Sequence, residues 1–442
     1  MFSIRKRRSL FVGLCALWAA AASAQPVNDR PVQPAVEPTS MVQLWQSAWE
    51  RQPEATAESS WRQAAQARRA TADSLTSGPM ALELSGKTDR FTDRDGAREY
   101  EVGVAIPLWL PGERSSAARW ADAESLALTG RIQAAKLRTA GQVRQAWWSW
   151  QRAVAELTAA RDQQGNATKL AADVARRVRA GDLAQADRNQ ADGAVALART
   201  VLAQAQAQEE SERQALLAMI GSDSLAVPPV LAVEELSLLG SAIGASSAVQ
   251  TVPEEHPLLQ ELQSKAQAAR RQAERVAVQK RDNPELTLST TRDRGARGEH
   301  YGQTITVGVR IPFGSGSRHT EQWASANAVA LEADSELVVQ RSRLLADIRT
   351  AQARARAAQT QLEAAAERQR LAQQTRGFYQ KSFALGETDM PTRLRIEQEA
   401  TDAERQALLA RVELASAVSL FLQAQGVLPE QTPAIQQSPN VR

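Results

Sequence analysis

The chain has 442 residues, of which 5% are aromatic and 23% charged, and a formal net charge of +3. So few aromatic residues over such a length argue against several thick globular cores and for long helices meeting along thin seams. The charge gives no ground for a nucleic-acid partner: Arg5, Lys6, Arg7 and Arg8 sit in an N-terminal leader, and without them the balance is −1 (+3 − 4).

That leader continues through the apolar run Ser9–Ala22 to Ala22-Ser23-Ala24, a small-residue cleavage pattern. Residues 1–24 are therefore expected to be a secretory signal peptide, with Gln25 opening the mature chain. Cys15, the only cysteine, would leave with the signal, so no disulfide or thiol chemistry is expected afterwards. Leu14 before Cys15 also argues against lipid attachment there. Residues 25–39 are Pro-rich and patternless and are expected to form a linker.

A first repeat is expected over residues 40–221. Ser40–Leu75 is expected to be one helix, capped by Ser40, with Leu44, Trp45, Ala48 and Trp49 as its apolar stripe. Ser77-Gly78-Pro79 ends it. Met80–Phe91 and Arg98–Leu108 then predict a hairpin about the Asp95-Gly96 turn. In the second of these strands Tyr100, Val102, Val104 and Ile106 alternate onto one side. Glu113–Ala180 predicts one very long helix, with Ala140, Val143, Trp147, Trp150, Val154 and Leu157 as a coiled-coil seam. Gly181 breaks it, Asp182 is expected to cap the return helix, and Gly221 ends that helix after Ile220.

Residues 222–252, rich in Ser, Gly, Ala and Pro, are expected to be an inter-repeat linker. A second repeat over 253–426 follows the same order. Pro253–Arg281 is expected to be helical, Asn283-Pro284 a break and Glu285–Arg292 a strand. Tyr301–Phe313, YGQTITVGVRIPF, alternates apolar against small or polar until Pro312 removes a donor from the ladder. Ser317–Ala384 is the second very long helix. After Gly386, Thr388–Gln425 returns, with an expected seam at Leu408, Val412, Ala415, Ser419 and Leu422. Residues 427–442 are expected to be a disordered tail.

The two copies share one offset. Adding 205 carries Pro79 to Pro284, Gly103 to Gly308, Ile106-Pro107 to Ile311-Pro312, Gly181 to Gly386 and Gly221 to Gly426, without insertion or deletion. The expected fold class is mainly α with a small membrane β part, a two-fold internal repeat of long antiparallel coiled-coil helices and four strands. Four strands cannot close a membrane barrel, and open edges in lipid strand N–H and C=O groups at several kcal/mol each. Chains must pool strands, and three of them give twelve.

At this point the sequence resembles the TolC family of outer-membrane efflux channels over nearly the whole mature chain. The likeness rests on the signal, the two strand–Ile-Pro–long-helix units, the duplicated register, and the Gly181 and Gly386 turns. Tyr301–Arg318 and Ser382–Arg393 (SFALGETDMPTR) look most like the CzcC-type branch, which serves heavy-metal efflux. The resemblance implies a homotrimer with a 12-stranded β-barrel in the outer membrane and a helical tunnel across the periplasm. It also implies a passive conduit partnered by a periplasmic adaptor and an inner-membrane pump of the resistance-nodulation-division type. Arg179, Gly181, Asp182 and Leu183, with Leu385, Gly386, Glu387 and Thr388, would then form the adaptor-docking tips. Acidic side chains close the tunnel in the family. Asp187 matches that position, whereas Thr392 and Arg395 stand where the second copy often has carboxylates, so the acidic ring would be thinner here or Arg395 would bridge to Asp187.

No catalytic constellation is found, and neither a cofactor nor a metal site is expected. His256, His300 and His319 lack ligand spacing, and Glu254-Glu255-His256 reads as a helix start with acids near the positive end of the dipole. A periplasmic adaptor or a structural coiled-coil protein would explain the helices. Neither explains two hairpins in register or membrane-length strands. Drug-like molecules remain an alternative cargo to metal ions.

Overall fold

The structure, a computed structural model, describes residues 40–91, 94–222, 249–314 and 316–431. All belong to the unit Glu37–Arg442. The expected signal peptide and first linker, the inter-repeat residues 223–248 and the tail beyond 431 lie outside the described residues.

The first repeat runs α1 (Met41–Glu50), α2 (Pro53–Asp73), β1 (Ala81–Thr88), β2 (Arg98–Pro107), α3 (Glu113–Ala180) and α4 (Gln185–Ile220). The second runs α5 (Pro257–Val278), β3 (Glu285–Arg294), β4 (Gly302–Arg310), α6 (Gly316–Ala384) and α7 (Met390–Ala424). α3 and α6 have 68 and 69 residues, against about 11–12 in an average globular helix. At ~1.5 Å per residue each is roughly 100 Å long.

The strands form one antiparallel sheet in the order β1-β2-β3-β4. Its centre is the β2–β3 pairing, from Arg98 opposite Arg294 to Pro107 opposite Glu285, so the two repeats share a single sheet. β1 and β4 are its edges, each paired on one side only.

The expected seam of α3 is buried at Ala140, Val143, Trp147, Trp150 and Leu157, with Val154 half-buried against the same cluster. α1 lays Leu44 and Ala48 across it, and Leu216, Leu217 and Ile220 of α4 close the cluster. A second cluster joins Ala355, Ala358 and Leu362 of α6 to Leu414, Ala415, Ala417 and Val418 of α7.

Several expectations need correction. Ser40–Leu75 is two helices, because Pro53 has no N–H to give and restarts the helix at its first position. Ser40 does cap α1, in a reciprocal box with Gln43. The helix expected over Pro253–Arg281 is shorter: it begins at Pro257 behind a His256 cap and ends before the extended run into Pro284. The α7 seam is also shifted. Leu408, Ser419 and Leu422 are only half-buried, whereas Ala400, Ala403, Ala407, Leu414 and Phe421 are fully buried. α7 packs on both α6 and α3, and two neighbours bury a wider stripe than one heptad seam. The same two-sided packing explains why α7 alone among the described helices is long and apolar enough to cross a bilayer.

His256 is a structural pin. Its Nδ1 accepts the Leu258 N–H (3.2 Å) and its Nε2 lies 3.1 Å from the Ala424 carbonyl, tying α5 to the end of α7. These partners fit a neutral ring protonated at Nε2. Burial pushes its pKa below the ordinary 6.5, against the Ala424 carbonyl, which favours the charged ring. The unfolded chain therefore takes up a proton that the folded chain resists. This contribution to stability is full above about pH 6.5 and is lost as pH falls from there towards the lowered folded value. Melting curves at pH 7.5 and 5 should show the loss in the wild type, and His256→Gln should flatten it. Equal pH slopes in the two proteins would assign the acid sensitivity to other groups.

Candidate functional site

Two regions stand out, the sheet and the ends of the helical hairpins. The strand registers sort the sheet by chemistry. Leu82, Leu84, Val102, Val104, Ile106, Leu286, Leu288, Ile305, Val307 and Val309 fall on one face. Glu83, Ser85, Lys87, Glu99, Glu101, Thr287, Ser289, Thr291, Thr304 and Thr306 fall on the other. Both arise from period-two alternation, matched across every strand pair. The apolar face is open: Leu84 and Ile305 are each 70% exposed and Val307 68%. Such a contiguous patch marks an interaction surface on a soluble protein or a lipid-facing band. The polar face carries a Lys87–Glu99 ion pair (3.1 Å) and a Ser85–Glu101 hydrogen bond (3.3 Å). Strands of 8 to 10 residues suit a tilted bilayer crossing.

The sheet is anchored to the helices by Glu113, which sequence reasoning missed. Its fully buried carboxylate accepts hydrogen bonds from the Leu110 N–H (2.9 Å), Asn283 Nδ2 (2.6 Å) and Gln279 Nε2 (2.5 Å). Trp109 Nε1 donates to the Ser74 carbonyl beside it (3.1 Å). The available signal was an acid at the first position of a helix after Pro111-Gly112, where the dipole favours negative charge.

At the hairpin ends both copies build the same turn. Gly181 donates to the Val178 carbonyl and Asp182 to that of Arg177; Gly386 donates to Phe383 and Glu387 to Ser382. The 205 offset maps each of these four groups onto its counterpart. Gly181 and Gly386 sit at φ +89° and +79°, with nothing near where a Cβ would stand. Conformation, not space, therefore requires glycine there. An L side chain in this region costs about 1–2 kcal/mol. Gly386→Val is thus expected to raise amide exchange over residues 382–388 roughly tenfold, and Gly386→Asn much less. Unchanged exchange in Gly386→Val would show that the turn tolerates branched side chains.

The expected tip residues are placed as follows. Arg179 and Asp182 are exposed, and Leu183 packs half-buried beneath the turn with Val174, Phe383 and Met390. Leu385 is 76% exposed, and the Thr388 hydroxyl lies 2.6 Å from that of Ser382. Glu387 is exposed beside it. Asp182 does not cap the return helix, because α4 begins beyond it at Gln185. Asp187 does that work by reaching back to the Ala184 N–H (3.0 Å). In the second copy Asp389 is the cap, and its hydrogen bonds from the Thr392 side chain and N–H hold its carboxyl below the usual range. Arg395 pairs with Glu399 on its own helix and makes no ion pair with Asp187. The two tips are joined by Arg177, which donates to the Phe383 carbonyl (2.8 Å) with its guanidinium 5.0 Å from the ring centre.

Among the described residues no group of three or more His, Cys, Asp or Glu side chains could hold a metal ion. No curated protein matches the chain. Solved structures do. CusC, described in terms of folding and transmembrane channel formation, aligns over 88% of this chain and 92% of its own at TM-score 0.71 and 16% identity. VceC, an outer membrane protein of the bacterial pathogen Vibrio cholerae, aligns over 88% and 96% at TM-score 0.68 and 18% identity. The outer-membrane channel OprN aligns over 87% and 89% at TM-score 0.70 and 18% identity. At these identities the likeness is one of fold. Residues 46–222 match the family described as Outer membrane efflux protein. Its first repeat thus carries that family's pattern, and across both repeats the chain shares the fold of these solved outer-membrane proteins.

Proposed function

We propose that the chain is one of three that pool their strands into a twelve-stranded barrel in a bacterial outer membrane. Their helices would form a periplasmic tunnel, and the assembly would be the passive exit conduit of a tripartite efflux system. One observation carries this reading: a four-stranded sheet, exposed and apolar on one face and polar on the other, with two unpaired edges, continuing into helices of 68 and 69 residues. A lone chain in lipid would leave both edges unsatisfied, and a closed ring of three would leave none. The outward residues Leu371 and Phe378 on α6 and Leu385 just past its end, at steps of seven, give a neighbouring chain an apolar seam.

The conduit would take its energy from an inner-membrane pump of the resistance-nodulation-division type through a periplasmic adaptor. The adaptor would meet the two glycine turns, from Arg179 to Leu183 and from Leu385 to Thr388. The cargo we favour is heavy-metal cations, on the CzcC-like stretches Tyr301–Arg318 and Ser382–Arg393. Drug-like molecules are the second reading, since nothing in a passive conduit's wall need choose the cargo. Heat-modifiable migration of a trimer from the outer-membrane fraction, with conductance in planar bilayers, tests the conduit. A water-soluble monomer would end it. Metal and drug sensitivities of a deletion strain separate the two cargoes.

Asp187 and Arg395 are proposed to line the periplasmic constriction. Rings of one charge sign select ions in a pore. Asp187→Ala should raise single-channel conductance or weaken block by divalent cations. Asp187→Asn, whose side-chain oxygen can still accept the Ala184 N–H, should separate charge from capping. Unchanged traces in both variants would leave Asp187 with its capping role alone.

A further inference from the structure

At the loop end of the sheet the outward face changes character. Above the apolar rows, Tyr100 stands opposite Arg292, which stands opposite Gln303. In the next row Arg98 stands directly opposite Arg294. Like charges facing one another across a strand pair destabilise it. Among the described residues none of these three arginines makes an ion pair; Arg294 Nε donates instead to the Gly96 carbonyl (3.1 Å). The guanidinium groups of Arg292 and Arg294 lie 4.9 and 5.1 Å from the centre of the Tyr301 ring, on one shared aromatic wall. Two acids of the adjoining loops are committed elsewhere. Asp89 accepts the Gly96 and Ala97 N–H groups, and Glu299 those of Gly295 and Ala296.

We infer that Arg98, Arg292 and Arg294 form a binding site for the phosphate groups of lipid headgroups, at the rim of the barrel farthest from the helices. This rests on the barrel reading above. The patch shares a face with the apolar band and follows it without interruption, so a lipid whose chains lie against Val102, Leu288 and Ile305 brings its headgroup to the arginines. Guanidinium groups bind phosphate oxygens in paired hydrogen bonds, and an external anion relieves the Arg98–Arg294 opposition. Tyr100 and Tyr301 mark the apolar-to-polar boundary, as aromatic girdles do on membrane barrels.

The test uses purified full-length protein in neutral detergent, titrated with a diphosphorylated glycolipid, its dephosphorylated form, or inorganic phosphate. The melting temperature of the wild type should rise with the phosphorylated lipid only. An attraction of about fivefold per arginine predicts that the triple variant Arg98→Gln, Arg292→Gln, Arg294→Gln binds ~100-fold more weakly. Replacement of all three by Lys should fall between. Equal binding of the phosphorylated and dephosphorylated lipids, or of wild type and the Gln variant, would overturn the site. A shift reproduced by inorganic phosphate alone would overturn the lipid as its occupant. Both variants should still migrate as heat-modifiable trimers and conduct. Failure of the wild type itself to insert and conduct would instead overturn the barrel reading.

Discussion

Trp150→Ala should lower the stability of the helical body by about 3–5 kcal/mol, the largest loss expected from any single truncation in the chain. The Trp150 ring is fully buried, meets Trp147 edge-on at 5.5 Å and 68°, and donates from Nε1 to Glu209 on α4 (2.8 Å). Truncation opens a cavity where α1, α3 and α4 meet and also leaves a half-buried carboxylate without its donor. Trp150→Phe keeps most of the volume and loses the hydrogen bond, so it should cost about 1.5–3 kcal/mol. Thermal unfolding followed by helical circular dichroism in detergent reads both variants. An Ala variant that melts with the wild type would mean that the cluster repacks around the gap.

The second large effect concerns the sheet. Ile305→Arg or Val307→Arg puts a cation on the open apolar face. At a bilayer midplane this costs about 2–4 kcal/mol per chain and threefold that in a ring of three. The heat-modifiable trimer should nearly vanish from the outer-membrane fraction. Thr306→Arg, one residue away but on the opposite face, should leave the trimer level intact and alter conductance. The reverse pattern would turn the sheet inside out and with it the reading of lumen and lipid.

Much of this architecture is legible in one sequence because it is periodic. Alternation fixes the faces of β2 and β4, and the 205 offset holds in space. Shifting α4, Gln185–Ile220, by 205 gives 390–425, one residue from α7 at Met390–Ala424. What escapes is set by neighbours distant in the chain. Arg144 reads as a solvated charge on a long polar helix. In the structure it is buried beside Gln423, 279 residues on, and burial lowers its pKa to about 10. The pair of buried Arg393 with half-buried Glu397, 2.6 Å apart and with Arg376 also on Glu397 (3.7 Å), reads from sequence as an ordinary i,i+4 surface pair. At the tips the glycines announce the turn. The side chain that caps the next helix depends on where that helix starts, which is why Asp182 looks eligible and Asp187 is used.

The Arg177 clamp breaks the likeness between the copies. Its counterpart at the 205 offset is Ser382, whose hydroxyl meets Thr388 and crosses to no other hairpin. On the reading of three pooled chains, six ends carry three Arg177 clamps, so this clamp recurs at every second junction of the rim. Anything seated there meets a threefold pattern, and a sixfold partner must settle on two unlike footings.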